Sequence, residues 1–319
     1  MAGSLRDWLA PLIWLLCLCW PAQPLTQQPE NLAELWTHYK LATATISAPP
    51  AEAGICNATQ RATADKLNAL VATAGSRAHM FLIGHDAQSI SIAKEISACY
   101  SSSAWFHIQQ ITSTPFFESI LYTEVLETQS AVWRELDYVI TGTYKTVSGR
   151  VRRWERVQTF EEITRLLHVA RQGGWDVVPF LRSGSGMMSN CLYWHKKGFK
   201  LAWDALLGAM NYSYPSIRQH YEMKPFFRNV YIIKPSVLEG LIKFMKTALL
   251  VAQQDKHVAA LLAKDSHYKE GSADVSRRIF GTDYYQLHPF IFERLPAFYL
   301  HHAKASICSA DQGECAYNT

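Results

Sequence analysis

The spacing of apolar residues changes along the chain, and the change marks where a sheet is expected to begin. Leucines and aromatic residues at helical spacing predict helices over residues 31–44 and 59–74. The next apolar run, residues 79–84, is short, continuous and ends in a glycine, which is typical of a strand buried in a parallel sheet. A further helix is predicted directly after it, over residues 87–98.

The alternation of short apolar runs with helical stretches continues to residue 181. Strands are predicted over residues 104–108, 136–141 and 175–181, with helices over residues 115–127 and 160–171 between them. Strands and helices that alternate with short connections are typical of a parallel sheet covered by helices on both faces. We therefore expect an α/β, Rossmann-like domain with a mostly parallel sheet flanked by helices.

The second half of the chain is more elaborate. A helix is predicted around Phe199 and Leu207, and residues 263–284 are polar and irregular. The pattern also predicts a strand over residues 229–233, a long helix over residues 235–253 and a last helix over residues 287–302. Pro296 is expected to kink or split this last helix, because proline cannot donate the helical hydrogen bond.

The N-terminal residues 1–22 predict the cellular compartment. Arg6 precedes a nearly uninterrupted apolar run of about 13 residues, whereas a helix that spans a bilayer needs about 20. The segment therefore predicts a secretory signal peptide, with an uncleaved signal anchor as the alternative and as the only expected membrane contact. We expect the ER or Golgi lumen or secretion as the location, and residues 23–77 as a helical and linker region. N-glycosylation sequence patterns at Asn57 and Asn211 agree with this location.

Cysteine count and charge narrow the class of protein further. Five cysteines follow the signal segment, so at most two disulfides can form, and Cys308 with Cys315 is the favoured pair in the C-terminal tail, residues 303–319. No cysteine or histidine spacing indicates zinc. The net charge of +4 argues against a nucleic-acid-binding protein. The basic run at residues 150–153 predicts a solvated loop or helix start, or else a contact to phosphate or an acidic glycan.

Candidate ligand-binding residues lie at predicted strand ends, because parallel sheets bind ligands outside the carboxyl ends of their strands. His85 and Asp86 follow the strand of residues 79–84, although Asp86 is equally well explained as a helix N-cap. Tyr144 and Lys145 end the strand that begins near Asp137. A lysine there can neutralise a diphosphate leaving group without a metal, and an exposed loop lysine is the alternative.

Two further groups carry charge or aromatic rings in helices. Glu293 and Arg294 lie within an apolar helix, so they form a structural ion pair, or Glu293 is a general base with a raised pKa. Trp194 and Trp203 are able to stack on a sugar ring, but tryptophans at helical spacing are more often core residues. Standard catalytic signatures such as Gly-x-Ser-x-Gly or a phosphate-binding loop are absent from the sequence.

The order of these segments resembles a known family. It is similar to the glycosyltransferase-like domains of largely uncharacterised proteins from microbial polysaccharide loci and algal-type genomes. In those domains the central strand has the form Tyr-x-Gly-x-x-His-Tyr-Arg-Arg, and the closing helix contains Ala-Glu-Arg-Leu. The matching segments here are His85-Asp86, Glu118-Ser-x-x-Tyr122, Asp137-Tyr-Val with Tyr144-Lys145, Trp175-Asp-Val-Val-Pro179, Phe226-Phe-x-Asn229 and Phe292-Glu-Arg-Leu295.

The resemblance covers about residues 78–302 and implies a GT-A-like fold that transfers a sugar from a nucleotide-sugar donor to a hydroxyl of a glycan or glycoconjugate. The chain departs from the pattern by having Thr143-Tyr144-Lys145 in place of His-Tyr-Arg and by lacking the Arg-Arg doublet. The implied roles are donor binding by His85, Asp86, Tyr144, Lys145 and Asn229, acceptor binding by Trp194, His195 and Asp204, and catalysis by Glu293.

Partners and cofactors follow from the same resemblance. A nucleotide sugar and a glycan acceptor are the expected ligands, and Mn²⁺ or Mg²⁺ is a candidate cofactor although the sequence has no Asp-x-Asp motif. The alternative hypothesis is a catalytically inactive secretory protein that binds glycan through Trp194, Trp203 and the aromatic closing helix.

Overall fold

The protein is represented by a computed structural model that describes much of the sheet and the helices around it. The described residues are 46–47, 77–84, 106–111, 118–147, 150–152, 160–179, 197–212, 231–266 and 282–308, with single helical residues between 58 and 69. All of them belong to the compact unit Asn31–Thr319. The predicted signal segment and the helices predicted over residues 31–44 and 87–98 lie outside the described residues.

Seven strands and seven helices are found within these ranges. The strands are β1 (Ile46–Ser47), β2 (Ala78–Gly84), β3 (Phe106–Ile111), β4 (Tyr138–Val147), β5 (Arg150–Arg152), β6 (Val177–Pro179) and β7 (Tyr231–Ile233). The helices are α1 (Glu118–Thr128), α2 (Ser130–Trp133), α3 (Phe160–Gln172), α4 (Lys197–Ala209), α5 (Pro235–Gln254), α6 (Lys256–Leu262) and α7 (His288–His302).

Two of these elements differ in form from the sequence-based expectation. The helix α7 continues through Pro296 as one element and is not split. Leu295 and Phe298, on either side of the proline, are fully buried, and this packing holds the helix together where one hydrogen bond is lost. The helix α6 forms in a segment for which no element was predicted; its N-cap, Asp255, accepts hydrogen bonds from the amides of His257 and Val258.

The described part of the sheet contains both parallel and antiparallel pairs. Its order is β1-β3-β2-β4-β7-β6, in which β2 pairs parallel with β3 and β4. Strand β7 pairs antiparallel with both β4 and β6, and β1 pairs antiparallel with β3. Strands β2, β3, β4 and β6 therefore share one direction, and β1 and β7 oppose it. The GT-A-like assignment stays a prediction.

The two faces of the sheet carry different sets of apolar residues. Phe81, Val139, Val177 and Ile233 belong to one core cluster with residues of α1, α4, α5, α6 and α7. We call these five helices the helical layer. The opposite face is covered by α3, which contacts β6 and β7. The hydroxyl of Tyr138 on that face donates to the carbonyl of Ala170 in α3 at 2.8 Å.

The C-terminal segment closes the open edge of β6. Ile307 forms a parallel bridge with Val177, whose carbonyl accepts a hydrogen bond from the amide of Cys308 at 2.9 Å. The last described residue, Cys308, is fully buried. Cys315 lies outside the described residues, so the Cys308–Cys315 bridge stays a prediction.

Asp176 fastens this segment at the amino end of β6. Its carboxylate accepts hydrogen bonds from the Lys234 ammonium and from the Ser306 amide, both at 2.9 Å. Burial by itself raises the pKa of Asp176, but the hydrogen bonds from Lys234 and Ser306 outweigh it and leave the pKa below its usual value. Asp176 thus ties β6 to the start of α5 and to the C-terminal segment.

Helix α5 packs tightly against α7. The ring of Phe244 lies 5.2 Å from that of Tyr299 and 6.0 Å from that of Phe298. One turn before Phe244, Gly240 faces the Tyr299 hydroxyl so closely that a Cβ atom at this position would lie 1.9 Å from the hydroxyl oxygen. The absence of a side chain at Gly240 therefore sets how closely the two helices approach.

Candidate functional site

The strand order contains a point at which the chain reverses direction across the sheet. Strand β3 lies on one side of β2, and the chain then crosses through α1 to β4 on the other side of β2. Open α/β sheets bind ligands in the crevice outside the carboxyl ends of the two strands at such a point. We call this position, outside the ends of β2 and β4, the switch-point crevice. Its register is fixed by the last pair of these strands, Gly84 with Tyr144.

Strand β4 extends beyond the end of β2 and pairs there with β5. In this antiparallel pair Lys145 lies opposite Arg152, and Val147 lies opposite Arg150. We call residues 145–147 and 150–152 the basic ribbon. Alternate positions of a strand share a face, so positions 145, 150 and 152 lie on the same face of the ribbon. All three carry a basic residue.

The ribbon corrects two sequence-based expectations. Tyr144 and Lys145 were expected to end their strand, but they lie inside β4, which continues to Val147. The basic run was expected to be a loop or a helix start, and its residues Arg150–Arg152 form β5. The physical reason is that each strand provides the hydrogen-bonding partner of the other. A signal was present in Ser148-Gly149, since two-residue connections that contain glycine are typical of β-hairpins.

The two candidate residues Tyr144 and Lys145 lie on different faces of β4. Val139 and Thr141 lie on the face that the helical layer covers, and regular alternation places position 145 on the same face. Position 144 lies on the other face, with Tyr138 and α3. Tyr144 and Lys145 thus lie on opposite faces of one strand, and of the two only position 145 is on the side of the sheet that carries the helical layer.

Three of the other predicted donor residues lie outside the described part of the chain, but their neighbours in sequence are placed. His85 and Asp86 directly follow Gly84, the register partner of Tyr144. Asn229 lies two residues before Tyr231, the first residue of β7. Since β7 is antiparallel to β4, it runs toward the amino end of β4, and the Tyr231 amide at its start donates to Oγ1 of Thr141, the fourth residue of β4, at 3.1 Å.

The remaining candidates fall in helices α4 and α7 or outside the described residues. In α4, Lys200 donates from its ammonium to Oδ2 of Asp204, and the other Asp204 oxygen is buried. Trp203 is only 1% exposed. Its ring stacks on Phe199 and makes an edge-to-face contact with Phe298. The hypothesis that Trp203 stacks on a sugar is therefore wrong, because the core covers it. Trp194, His195 and Asn57 lie outside the described residues.

Glu293 and Arg294 form the ion pair that was one of the two alternatives for them. Nη1 of Arg294 lies 3.7 Å from Oε2 of Glu293 and donates to the Phe290 carbonyl at 2.7 Å. The guanidinium of Arg294 is almost completely buried and lies 5.6 Å above the Phe199 ring of α4. The Glu293 side chain keeps about a third of its surface exposed, at 34%. It is thus held in place by Arg294 and still accessible to a small molecule.

One end of the helical layer lies at the amino end of β6, beside Asp176. Helix α5 starts next to Asp176, at the amino end of β6, and α7 is followed by Ser306 at the same end. The contact of Arg294 with Phe199 brings together the first halves of α7 and α4. These halves therefore lie toward the end of the layer remote from Asp176.

A pair of histidines on β2 and β3 was not singled out by the sequence. Nδ1 of His79 and Nε2 of His107 are 2.9 Å apart, and the His107 ring stacks on Phe81. Burial and the charge of His79 lower the pKa of His107 to about 4, and burial lowers the pKa of His79. Both rings are therefore neutral at pH 7 and share one hydrogen bond. The pair lies near the starts of the strands and is separate from the switch-point crevice.

Among the residues that the structure describes, no group of three or more His, Cys, Asp or Glu side chains is arranged to hold a metal ion. Within the same ranges, no helix has the length and apolar character needed to cross a membrane. In comparisons with protein-family models, curated proteins and solved structures, none matches this chain. The resemblance to glycosyltransferase-like domains therefore stays a prediction from the sequence motifs.

Proposed function

We propose that this protein is a glycosyltransferase of the secretory pathway, which transfers a sugar from a nucleotide-sugar donor to a hydroxyl of a glycan or glycoconjugate. The observation that supports it most is the position of Lys145 in the ribbon that extends β4 beyond the switch-point crevice. A nucleotide diphosphate leaves with negative charge, and a cation held in advance next to the breaking bond stabilises that charge.

The donor contacts of the proposal follow the carboxyl edge of the sheet. His85 and Asp86, which continue from the end of β2, would bind the ribose or base, and Lys145 would bind the diphosphate. Asn229, just before β7, would contact the donor from the neighbouring strand. Tyr144, on the opposite face of β4, is the remaining donor-binding candidate. Support comes from the register of Gly84 with Tyr144 and from the entry of β7 beside Thr141.

The chemical step needs a base on the acceptor side. Glu293 would accept the proton of the acceptor hydroxyl while the hydroxyl oxygen bonds to the anomeric carbon of the donor sugar. The bond from that carbon to the diphosphate oxygen breaks, and its electron pair leaves with the nucleoside diphosphate. In support, Glu293 is partly exposed and lies in the helical layer, which covers the same face of the sheet as position 145. Asp204 of α4 would accept a hydrogen bond from an acceptor hydroxyl.

The proposal is tested with the secreted protein and a panel of nucleotide sugars, by thermal stabilisation and by release of nucleoside diphosphate. We expect one donor class to stabilise the protein and to be hydrolysed slowly without acceptor. Glu293→Gln is expected to reduce turnover about 10²–10⁴-fold while donor binding persists, because it removes the proton acceptor. Glu239→Gln, a change at an exposed glutamate that pairs with Arg134, is the matched control and should leave turnover unchanged.

A panel in which no nucleotide sugar stabilises the protein or is hydrolysed would contradict the proposal. Glycan binding without nucleotide affinity would instead favour the catalytically inactive alternative. That alternative has lost one of its expected contacts, because Trp203 is buried in the core.

A further inference from the structure

The basic ribbon places three basic residues, at positions 145, 150 and 152, on one face of a strand pair. Position 145 of β4 lies directly opposite position 152 of β5, and position 150 is the next position of β5 on the same face. Positions 150 and 152 are about 7 Å apart along their strand. Directly opposite residues are closer than that. One small anion can therefore meet all three residues at once.

This arrangement concentrates positive charge at one end of the strand pair. Like charges directly opposite each other weaken an antiparallel pair, and positions 145 and 152, a lysine and an arginine, are register partners. An arginine guanidinium offers donors in a fork that matches two phosphate oxygens, and a lysine ammonium adds a point charge. A group with several negative oxygens would turn the repulsion at these positions into attraction.

The ribbon does not fit a divalent cation. Mg²⁺ and Mn²⁺ are bound by carboxylate, carbonyl and water oxygens, whereas the three positions on this face carry only amino and guanidinium groups. The charge of a donor diphosphate would here be balanced by side chains, in agreement with the lack of an Asp-x-Asp motif in the sequence.

We propose that Lys145, Arg150 and Arg152 form a clamp that binds a diphosphate group directly, without a divalent cation. This clamp deepens the proposed function. Only the assignment of the diphosphate to a sugar donor rests on that function. Arg150 and Arg152 are assigned here as binding residues beside Lys145. The neighbouring switch-point crevice favours a nucleotide diphosphate over an acidic glycan, because the crevice is where α/β sheets bind nucleotides.

The test measures binding to the intact secreted chain by titration calorimetry, in EDTA and in Mn²⁺. The ligands are inorganic pyrophosphate, uridine and guanosine diphosphates, and a sulfated glycan. We expect pyrophosphate and one nucleoside diphosphate to bind in EDTA, the nucleotide more tightly. Lys145→Gln and Arg152→Gln should each weaken this binding about tenfold, the loss expected for one charge-assisted hydrogen bond.

Two controls separate binding from folding. Arg134→Gln removes an exposed arginine elsewhere on the surface and should leave the affinity unchanged. Without ligand, Lys145→Gln and Arg152→Gln should melt at or above the temperature of the unchanged protein, since each removes one member of the like-charged pair. A variant that binds tenfold more weakly and yet melts no lower shows that the lost affinity is not a loss of fold.

Three binding results would overturn the clamp, and so would one turnover result. The binding results are diphosphate binding that requires Mn²⁺, diphosphate binding that is equal in the protein and both variants, and binding of the sulfated glycan but not of pyrophosphate. The turnover result is donor turnover in EDTA that is retained in full when Lys145→Gln and Arg152→Gln are combined in a double variant. It refutes the clamp and leaves the transferase proposal intact. Pyrophosphate binding that the double variant loses, with no turnover of any nucleotide sugar, supports the clamp and contradicts the transferase.

Discussion

The replacement Gly240→Ala tests the packing of α5 against α7. Gly240 lies in the first half of α5, and a Cβ atom there would lie 1.9 Å from the Tyr299 hydroxyl oxygen and 3.0 Å from Tyr299 Cζ. The Tyr299 ring cannot move away freely because it packs against Phe244 at a centroid distance of 5.2 Å. We therefore expect Gly240→Ala to lower the free energy of unfolding.

The size of the effect follows from two opposing contributions. Alanine is better than glycine in a helix interior by about 1 kcal/mol. Forcing an extra carbon into a packed contact typically costs about 1–3 kcal/mol. The net change for Gly240→Ala is thus a loss of about 1 kcal/mol. Gly208 is the matched control, because it lies in α4 with nothing within 4 Å of the position of its Cβ. Gly208→Ala should gain up to about 1 kcal/mol.

Urea unfolding followed by circular dichroism measures both changes, and Tyr299→Phe completes a double-mutant cycle. Without the hydroxyl, the nearest atom to the new Cβ is Cζ at 3.0 Å, which has to yield by only a few tenths of an ångström. In the Tyr299→Phe background, Gly240→Ala should therefore be neutral or stabilising, with a coupling energy of about 1 kcal/mol or more. A gain in stability from Gly240→Ala in the unchanged protein, equal to that of Gly208→Ala, would refute the predicted contact.

Three further predictions concern charge and modification. Asp176→Asn should lower the free energy of unfolding by about 1–2 kcal/mol at pH 7. Because the fold lowers the pKa of this carboxyl, the stability that it contributes is present above the unfolded pKa of about 4 and is lost as the pH falls through the folded pKa. The urea midpoints of the two proteins should therefore converge in acid. For His107, whose pKa is lowered to about 4, the unfolded chain binds a proton that the fold excludes between pH 6.5 and 4. His107→Gln should therefore flatten the fall of the urea midpoint over that range, and an unchanged slope would contradict this. Asn211 is exposed just after α4 with a φ of 63°, so we expect it to carry a glycan. Ser213→Ala should abolish the mass shift on glycosidase treatment without altering the end of α4. A mass shift that persists in this variant would argue against glycosylation of Asn211.

The elements that the sequence predicted well are those whose pattern is complete within one segment. The run of residues 79–84 is apolar throughout and became β2, and the long helix predicted over residues 235–253 became α5 with Pro235 at its start. Such segments need no knowledge of a partner. The direction of β7 could not be predicted without knowledge of its partner strands. Its three residues are buried on both faces, and an apolar run looks the same in either direction.

The candidate site was predictable to the same limited degree. Lys145 was expected at the end of its strand but lies inside β4, because the length of β4 depends on pairing with β5, which one segment does not determine alone. The pair of His79 and His107 was missed because it requires the register of β2 against β3. Trp203 was a weak candidate for a sugar contact, since its spacing from Phe199 is also that of a core stripe, and the structure shows the core stripe.

The position of β7 within the sheet has a consequence for synthesis of the chain. Ribosomes make β6 before β7, yet β7 lies between β6 and β4 and is the strand that pairs with β6 on that side. The other edge of β6 is covered by residues 306–308, which are made after all the described strands and helices. A nascent chain that has reached α4 therefore carries the apolar strand β6 with neither neighbour. An unpaired strand edge of this kind invites association between chains, so production of this protein should depend on chaperones until the C-terminus has been translated.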